Sequence, residues 1–274
     1  MKTVLITGSS SGIGKETAKL FQKKGWNVAA TMRSPEKENE LNNLENVKCF
    51  KLDVTDKDSI ETAIEETIRY FEGIDVVVNN AGYGTKGLFE AANKEEAKDQ
   101  FEVNVFGVMN VMWAILPYFR SKKDGTIINI SSQSGVVGAP LNSIYNSTKF
   151  AIEGISESLM YELSAINVKI KLVLLSAVKS NFLSSTRFFK DPDLVEYSYF
   201  NNNVMSKMKE YLANGERPEV IAKDIYKAVS DGKNKLRYLA GNGVKPSYLF
   251  KKVLPFNIFK KIVYRRFGLV QKSN

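Results

Sequence analysis

A chain of 274 residues with 43% hydrophobic content suffices for one large α/β domain or two small ones, and no linker-like stretch divides it. Its complete lack of histidine excludes the Ser-His-Asp triad, the Cys-His dyad and every His-containing metal site, leaving carboxylates, lysine and tyrosine as acid-base groups. The net charge of +9 would attract phosphates, but no base-reading module accompanies it, so specific nucleic-acid recognition is not expected.

In chain order, the apolar run 3–7 reads as a first strand and is followed directly by Thr7-Gly8-Ser9-Ser10-Ser11-Gly12-Ile13-Gly14. A helix at about 14–24 follows, with Gly25 as its stop. Further runs at 28–32, 47–52, 74–78, 126–130 and 168–175 are rich in valine, isoleucine and leucine, as strands buried on both faces are. Helical stretches at about 57–72, capped by Thr55 or Asp56, and at about 94–121 and 143–165 separate them. This alternation predicts a Rossmann-like, doubly wound parallel sheet in a single domain over 1–243, with a C-terminal amphipathic extension over 244–274. Val103 to Phe119 carries no charge, yet it is short for a membrane span and contains Asn104, Asn110 and Pro117. A helix buried against the sheet is the expectation there.

Two motifs carry chemistry. Glycines 8, 12 and 14 lie between strand and helix, where missing side chains let a pyrophosphate approach the backbone and a helix N-terminus offers orphan N–H groups. A tight turn without ligand is the bland alternative. Tyr145 and Lys149 are four apart on a predicted helix and share a face, so the ammonium can stabilise the tyrosinate and make the phenol a usable acid or base.

In these motifs and their order the chain resembles the short-chain dehydrogenase/reductase family from Thr3 to about Leu239. The resemblance implies a cofactor site at Gly8, Ser10, Ser11, Gly12, Ile13 and Gly14, at Asp53 and Val54, and at Asn80, Ala81 and Gly82. It implies a catalytic set of Asn104, Ser132, Tyr145 and Lys149, with the last two also contacting cofactor. In that scheme Tyr145 exchanges the proton and Ser132 supports the oxygen. Lys149 binds ribose and depresses the tyrosine pKa, while Asn104 holds a relay water. Where members that prefer NAD carry an acidic residue after the second strand, this chain has Met32-Arg33. A guanidinium suits a phosphate, so NADP(H) is favoured, with NAD(H) as the alternative if Arg33 is only a solvated cation. The family's Pro-Gly after the sixth strand is replaced by Leu175-Ser176, although Val178 and Ser180 still match its cofactor contacts.

The likeness extends to the steroid and retinol dehydrogenase-like branch, and the aromatic-rich segment at about 182–213 stands where the family carries its substrate lid. Phe182, Leu183, Phe188, Phe189, Tyr197, Tyr199 and Phe200 there either meet an apolar substrate or pack the lid onto the body. A hydrophobic carbonyl or alcohol substrate and a homo-oligomer are expected. From Gly232 onward there are 11 Lys or Arg and no Asp or Glu, interleaved with apolar residues at helical spacing. That tail fits either peripheral contact with an anionic membrane or packing over the substrate entrance. A lone Cys49, with no disulfide partner, and an N-terminal apolar run too short for a signal peptide point to a cytoplasmic setting. The alternatives to an oxidoreductase are a non-catalytic dinucleotide-sensing or scaffold protein and a cofactor-assisted epimerase.

Overall fold

The computed structural model describes residues 1–179 and 186–269. Seven parallel strands form one sheet in the order β3-β2-β1-β4-β6-β7-β9. These are β1 (Thr3–Thr7), β2 (Asn27–Met32), β3 (Val47–Lys51), β4 (Val76–Asn79), β6 (Gly125–Ser132), β7 (Val168–Leu175) and β9 (Arg237–Ala240), while β5 (Thr85–Lys86) and β8 (Arg187–Phe188) pair outside the sheet. The six runs read from the sequence are thus strands of a doubly wound sheet, joined by β9, which was not anticipated. It has only four residues and opens with Arg237 and Tyr238, so it lacks the apolar signature of the others.

Successive strand residues point to opposite faces. Leu5 packs beneath α2 (Lys57–Phe71), α4 (Gly107–Lys122) and α5 (Ser143–Ser164). Val4 and Ile6 pack against α1 (Gly12–Lys23) and α7 (Pro218–Ser230). Asp56 caps α2 by accepting from Ser59 N at 3.1 Å, and Gly25 takes φ +76 after α1, a conformation that glycine reaches without strain.

The predicted helix at about 94–121 is three pieces. After α3 (Lys94–Phe101), a π-helical turn over Glu102–Phe106 contains Asn104, and α4 follows. Among the described residues Lys94–Lys122 is long and apolar enough by composition to cross a membrane. Val111, Ile115 and Phe119 are nevertheless fully buried in the core beside the sheet.

The described part of the lid contains α6 (Ser198–Ala213), whereas Phe182 and Leu183 lie outside the described residues. The tail folds into α8 (Val244–Val253) and α9 (Phe256–Arg266), separated at Pro255.

Candidate active site

The strand order reverses beside β1, so the turns after β1 and β4 open a crevice at the carboxyl end of the sheet. A continuous cavity of about 1250 Å³ runs from this crevice to α6, α8 and α9. Gly8, Ser10, Ser11, Gly12, Ile13, Arg33, Asp53, Val54, Asn80, Ala81, Gly82, Ser132, Tyr145, Lys149 and Val178 all line it. Gly14 and Asn104 stand behind that surface, and Ser180 lies outside the described residues.

The glycine turn is held by close packing. Gly8 has φ +69, and a Cβ there would meet Ala81 Cα at 2.9 Å; a Cβ on Gly14 would meet the Gly8 carbonyl oxygen at 2.4 Å. Asn80 Nδ2 donates to the carbonyls of Thr7 and Gly8 at 2.9 and 3.1 Å, while Thr7 Oγ1 accepts from Asn80 N and Ala81 N. Ser11 makes no side-chain cap bond and the first turn of α1 has no acidic residue. Orphan N–H groups and the positive end of the helix dipole therefore meet a glycine cradle, an arrangement that fits a pyrophosphate. Asp53 braces its own loop, accepting from Thr55 N and Oγ1 at 3.0 and 2.8 Å. Val54 is fixed from behind because its carbonyl accepts from Asn110 Nδ2 at 3.2 Å and its side chain fills the space beside Gly107.

The end of the cavity that holds Ser132, Tyr145 and Lys149 is built by a polar stripe of α5 closed along β6. Lys149 Nζ donates to Ile130 O at 2.8 Å, Ser131 Oγ to Glu153 Oε1 at 2.6 Å, and Asn129 Nδ2 to Ser156 Oγ at 2.9 Å. At the upper end Tyr145 is hydrogen-bonded to the Ser132 hydroxyl, which also accepts from Ser134 N at 3.1 Å. Positions 145, 149, 153 and 156 lie on one face, spaced as a helix requires. Arg237 of β9 closes the stripe by donating to Glu153 Oε2 at 2.8 Å.

Electrostatics depart from the sequence expectation. Burial pushes the Tyr145 phenol up to about 12, opposed only by its bond to Ser132. Burial also brings the Lys149 ammonium down to about 8, with Glu153 pulling the other way. Lys149 Nζ lies 5.9 Å from the Tyr145 ring centroid, so desolvation outweighs the depression expected from the neighbouring ammonium. The Asn104 side chain is engaged with the loop after β4. Its Oδ1 accepts from Tyr83 N at 3.0 Å, and its Nδ2 donates to Tyr83 O at 2.8 Å and Thr148 Oγ1 at 3.3 Å. The side chain thereby braces that loop.

Sequence reading missed Tyr211 and Gln133. Tyr211 donates to Gln133 Oε1 at 2.8 Å, accepts from Ala177 N at 3.3 Å, and lies beneath the Arg266 guanidinium at 4.5 Å. The contact pins α6 over the segment after β7. There, Ala177 O and Lys179 N pair with Glu216, at 2.8 and 2.7 Å, which leaves the Val178 peptide groups outside that bridge. Only the position of Gln133, directly after Ser132, offered a signal for this contact.

A parallel sheet with a glycine turn after β1 and a serine, tyrosine and lysine gathered at its carboxyl end defines a dinucleotide-fold oxidoreductase. The model of the short chain dehydrogenase family matches residues 2–190, and the chain belongs to that family. It is 34% identical over 279 residues to the oxidoreductase YusZ of Bacillus subtilis, with 97% of this chain and 98% of YusZ covered. It is 31% identical over 272 residues to retinol dehydrogenase 8 of Bos taurus, covering 93% and 86%. Among solved structures, a short-chain dehydrogenase from Streptomyces avermitilis superposes with TM-score 0.82 at 27% identity, covering 98% of both chains. ElxO with NADP bound superposes with TM-score 0.73 at 27% identity, covering 90% of this chain and 98% of that one.

Proposed function

We propose that this chain is an NADP(H)-preferring dehydrogenase/reductase acting on the carbonyl or alcohol of a hydrophobic substrate. The observation that carries this is one cavity joining the glycine turn to Ser132, Tyr145 and Lys149, with Phe250, Phe259, Ile262 and Val263 of the tail on its far wall. A bound nicotinamide dinucleotide supplies or accepts the hydride. Tyr145 Oη holds the proton exchanged with the substrate oxygen, and its high pKa keeps it protonated at neutral pH, which suits reduction. Ser132 Oγ supports the same oxygen as charge develops, and Lys149 adds positive charge beneath both. Oxidation of NADPH and NADH, followed against a panel of hydrophobic ketones and aldehydes, tests the reading. Tight dinucleotide binding with no turnover of any carbonyl would favour the sensor alternative.

The preference for NADP(H) rests on Arg33. It is exposed at the cavity, whereas Lys15 and Lys19 engage the nearby Glu38 and Glu40. The local carboxylates are thus neutralised and the guanidinium forms no ion pair among the described residues. Arg33→Ala is expected to raise KM for NADPH about 10- to 100-fold, the worth of a charge-assisted bond, while leaving KM for NADH within a few-fold. Equal changes for both cofactors would assign Arg33 to the solvated surface.

The tail supports a second element of the reading, peripheral contact with an anionic membrane. Val253 and Phe256 are 74% and 66% exposed, next to Lys251 and Lys252, while other residues of α8 and α9 line the cavity. Truncation after Gly243 would therefore damage the site, and point changes test the contact better. Val253→Asp with Phe256→Asp is expected to abolish co-sedimentation with anionic vesicles and preserve turnover of a water-soluble carbonyl. Undiminished sedimentation would assign that face to packing. Exposed Trp113 on α4 and Tyr161 on α5 likewise support self-association.

A further inference from the structure

We propose that Lys86 is the anion receptor of the substrate end of this cleft, and that the substrate is a ketone or aldehyde with an apolar body and a carboxylate group. The inference rests on the oxidoreductase reading for the word substrate, but the site itself stands on its own geometry.

Lys86 ends β5, and its backbone is fixed on both sides. Phe189 N donates to Lys86 O at 2.8 Å, and Gly87 N to Leu141 O at 2.9 Å. Leu141 holds φ +59, a left-handed conformation unusual for a branched residue and one that persists only where the surroundings impose it. The side chain reaches the cavity, where Nζ donates to Asn142 Oδ1 at 3.3 Å and Met208 Sδ at 2.9 Å. Both acceptors are neutral and a thioether is a weak one, while an ammonium carries three hydrogens. Among the described residues no carboxylate forms an ion pair with Lys86. Arg187, on the strand paired with β5, is by contrast matched with Asp99 at 3.2 Å.

A half-buried cation with only neutral partners is poorly compensated, and an apolar residue would fill this wall at less cost. Burial alone brings the Lys86 ammonium down to about 8, so it remains charged at neutral pH. Its location says what it would meet. Asn142 precedes the first turn of α5, three residues before Tyr145, so the ammonium lies at the tyrosine end of the cavity, away from the glycine cradle. Arg266, also on the cavity wall and without an ion pair among the described residues, adds positive potential that draws anions inward. The one remaining N–H of Lys86 suits a monoanion such as a carboxylate.

The test compares a medium-chain oxo-carboxylic acid with its methyl ester, using wild type, Lys86→Met and Lys86→Arg. The wild type is expected to favour the acid in kcat/KM, Lys86→Met to reduce the acid-to-ester ratio about 10- to 100-fold, and Lys86→Arg to restore most of it. Calorimetry with octanoate supplies a readout that needs no turnover, with binding by wild type and loss in Lys86→Met. Octanoate binding without reduction of any carbonyl would sustain the anion site while overturning the oxidoreductase reading. An unchanged acid-to-ester ratio in Lys86→Met, or octanoate binding indifferent to the substitution, would overturn the proposal. A phosphate monoester of the same chain length binding better than octanoate would overturn its carboxylate assignment.

Discussion

Tyr145→Phe is expected to lower kcat by about 10³-fold, within the range usual for loss of a general acid, while NADPH affinity changes only a few-fold. The phenol is half-buried at the cavity wall, raised to about 12 and hydrogen-bonded to Ser132. A forming alkoxide is a far stronger base than a phenolate, so a protonated tyrosine gives up its proton only as hydride arrives. Removing the hydroxyl leaves Ser132 with one partner fewer, a loss of about 1 kcal/mol in stability that thermal unfolding would register as a small shift. Stopped-flow measurement of hydride transfer, alongside NADPH titration, separates chemistry from binding. Retention of more than a tenth of wild-type kcat would transfer the acid role to another group.

The sheet and most of this site were legible because their signals are local. Buried parallel strands announce themselves as continuous runs of valine, isoleucine and leucine, and Gly8, Gly12 and Gly14 occupy places that backbone geometry reserves for glycine. Tyr145 and Lys149 were readable as a pair because helix geometry puts them on one face. Glu153 and Ser156 continue that face, but their partners Ser131 and Asn129 lie on β6, and nothing in one sequence announces such register. The π-turn around Asn104 was hidden for a similar reason: an extra residue per turn leaves no compositional mark. Lys86 carries no sequence signal because a lysine beside a strand ordinarily faces solvent, and only its packing against Asn142 and Met208 reveals otherwise. Burial also reversed the expected shift of Tyr145, since the sequence supplied the neighbouring charge but not the dielectric.

Lys149 should impose an alkaline limit on the reaction. Burial lowers its ammonium to about 8, so the charge that supports a negative oxygen is present below that pH and is lost as pH rises through it. Above the limit kcat/KM is expected to fall about tenfold per pH unit, as for any single essential proton. The stability effect has the opposite sense. The native state binds fewer protons than the unfolded chain between about 8 and 10.5, so this group makes the fold more stable as pH rises across that window. Activity and stability therefore diverge on the alkaline side, which separates loss of the ammonium from unfolding. Lys149→Met should cost about 10² to 10³ in kcat/KM and weaken dinucleotide binding, because no neutral side chain replaces the buried charge. Lys149→Arg keeps a charge that does not titrate in this range, so its residual activity should lack the limit near 8. A pH profile whose alkaline limb survives unchanged in the arginine variant would assign that titration to a different group and remove Lys149 from the proton economy of the site.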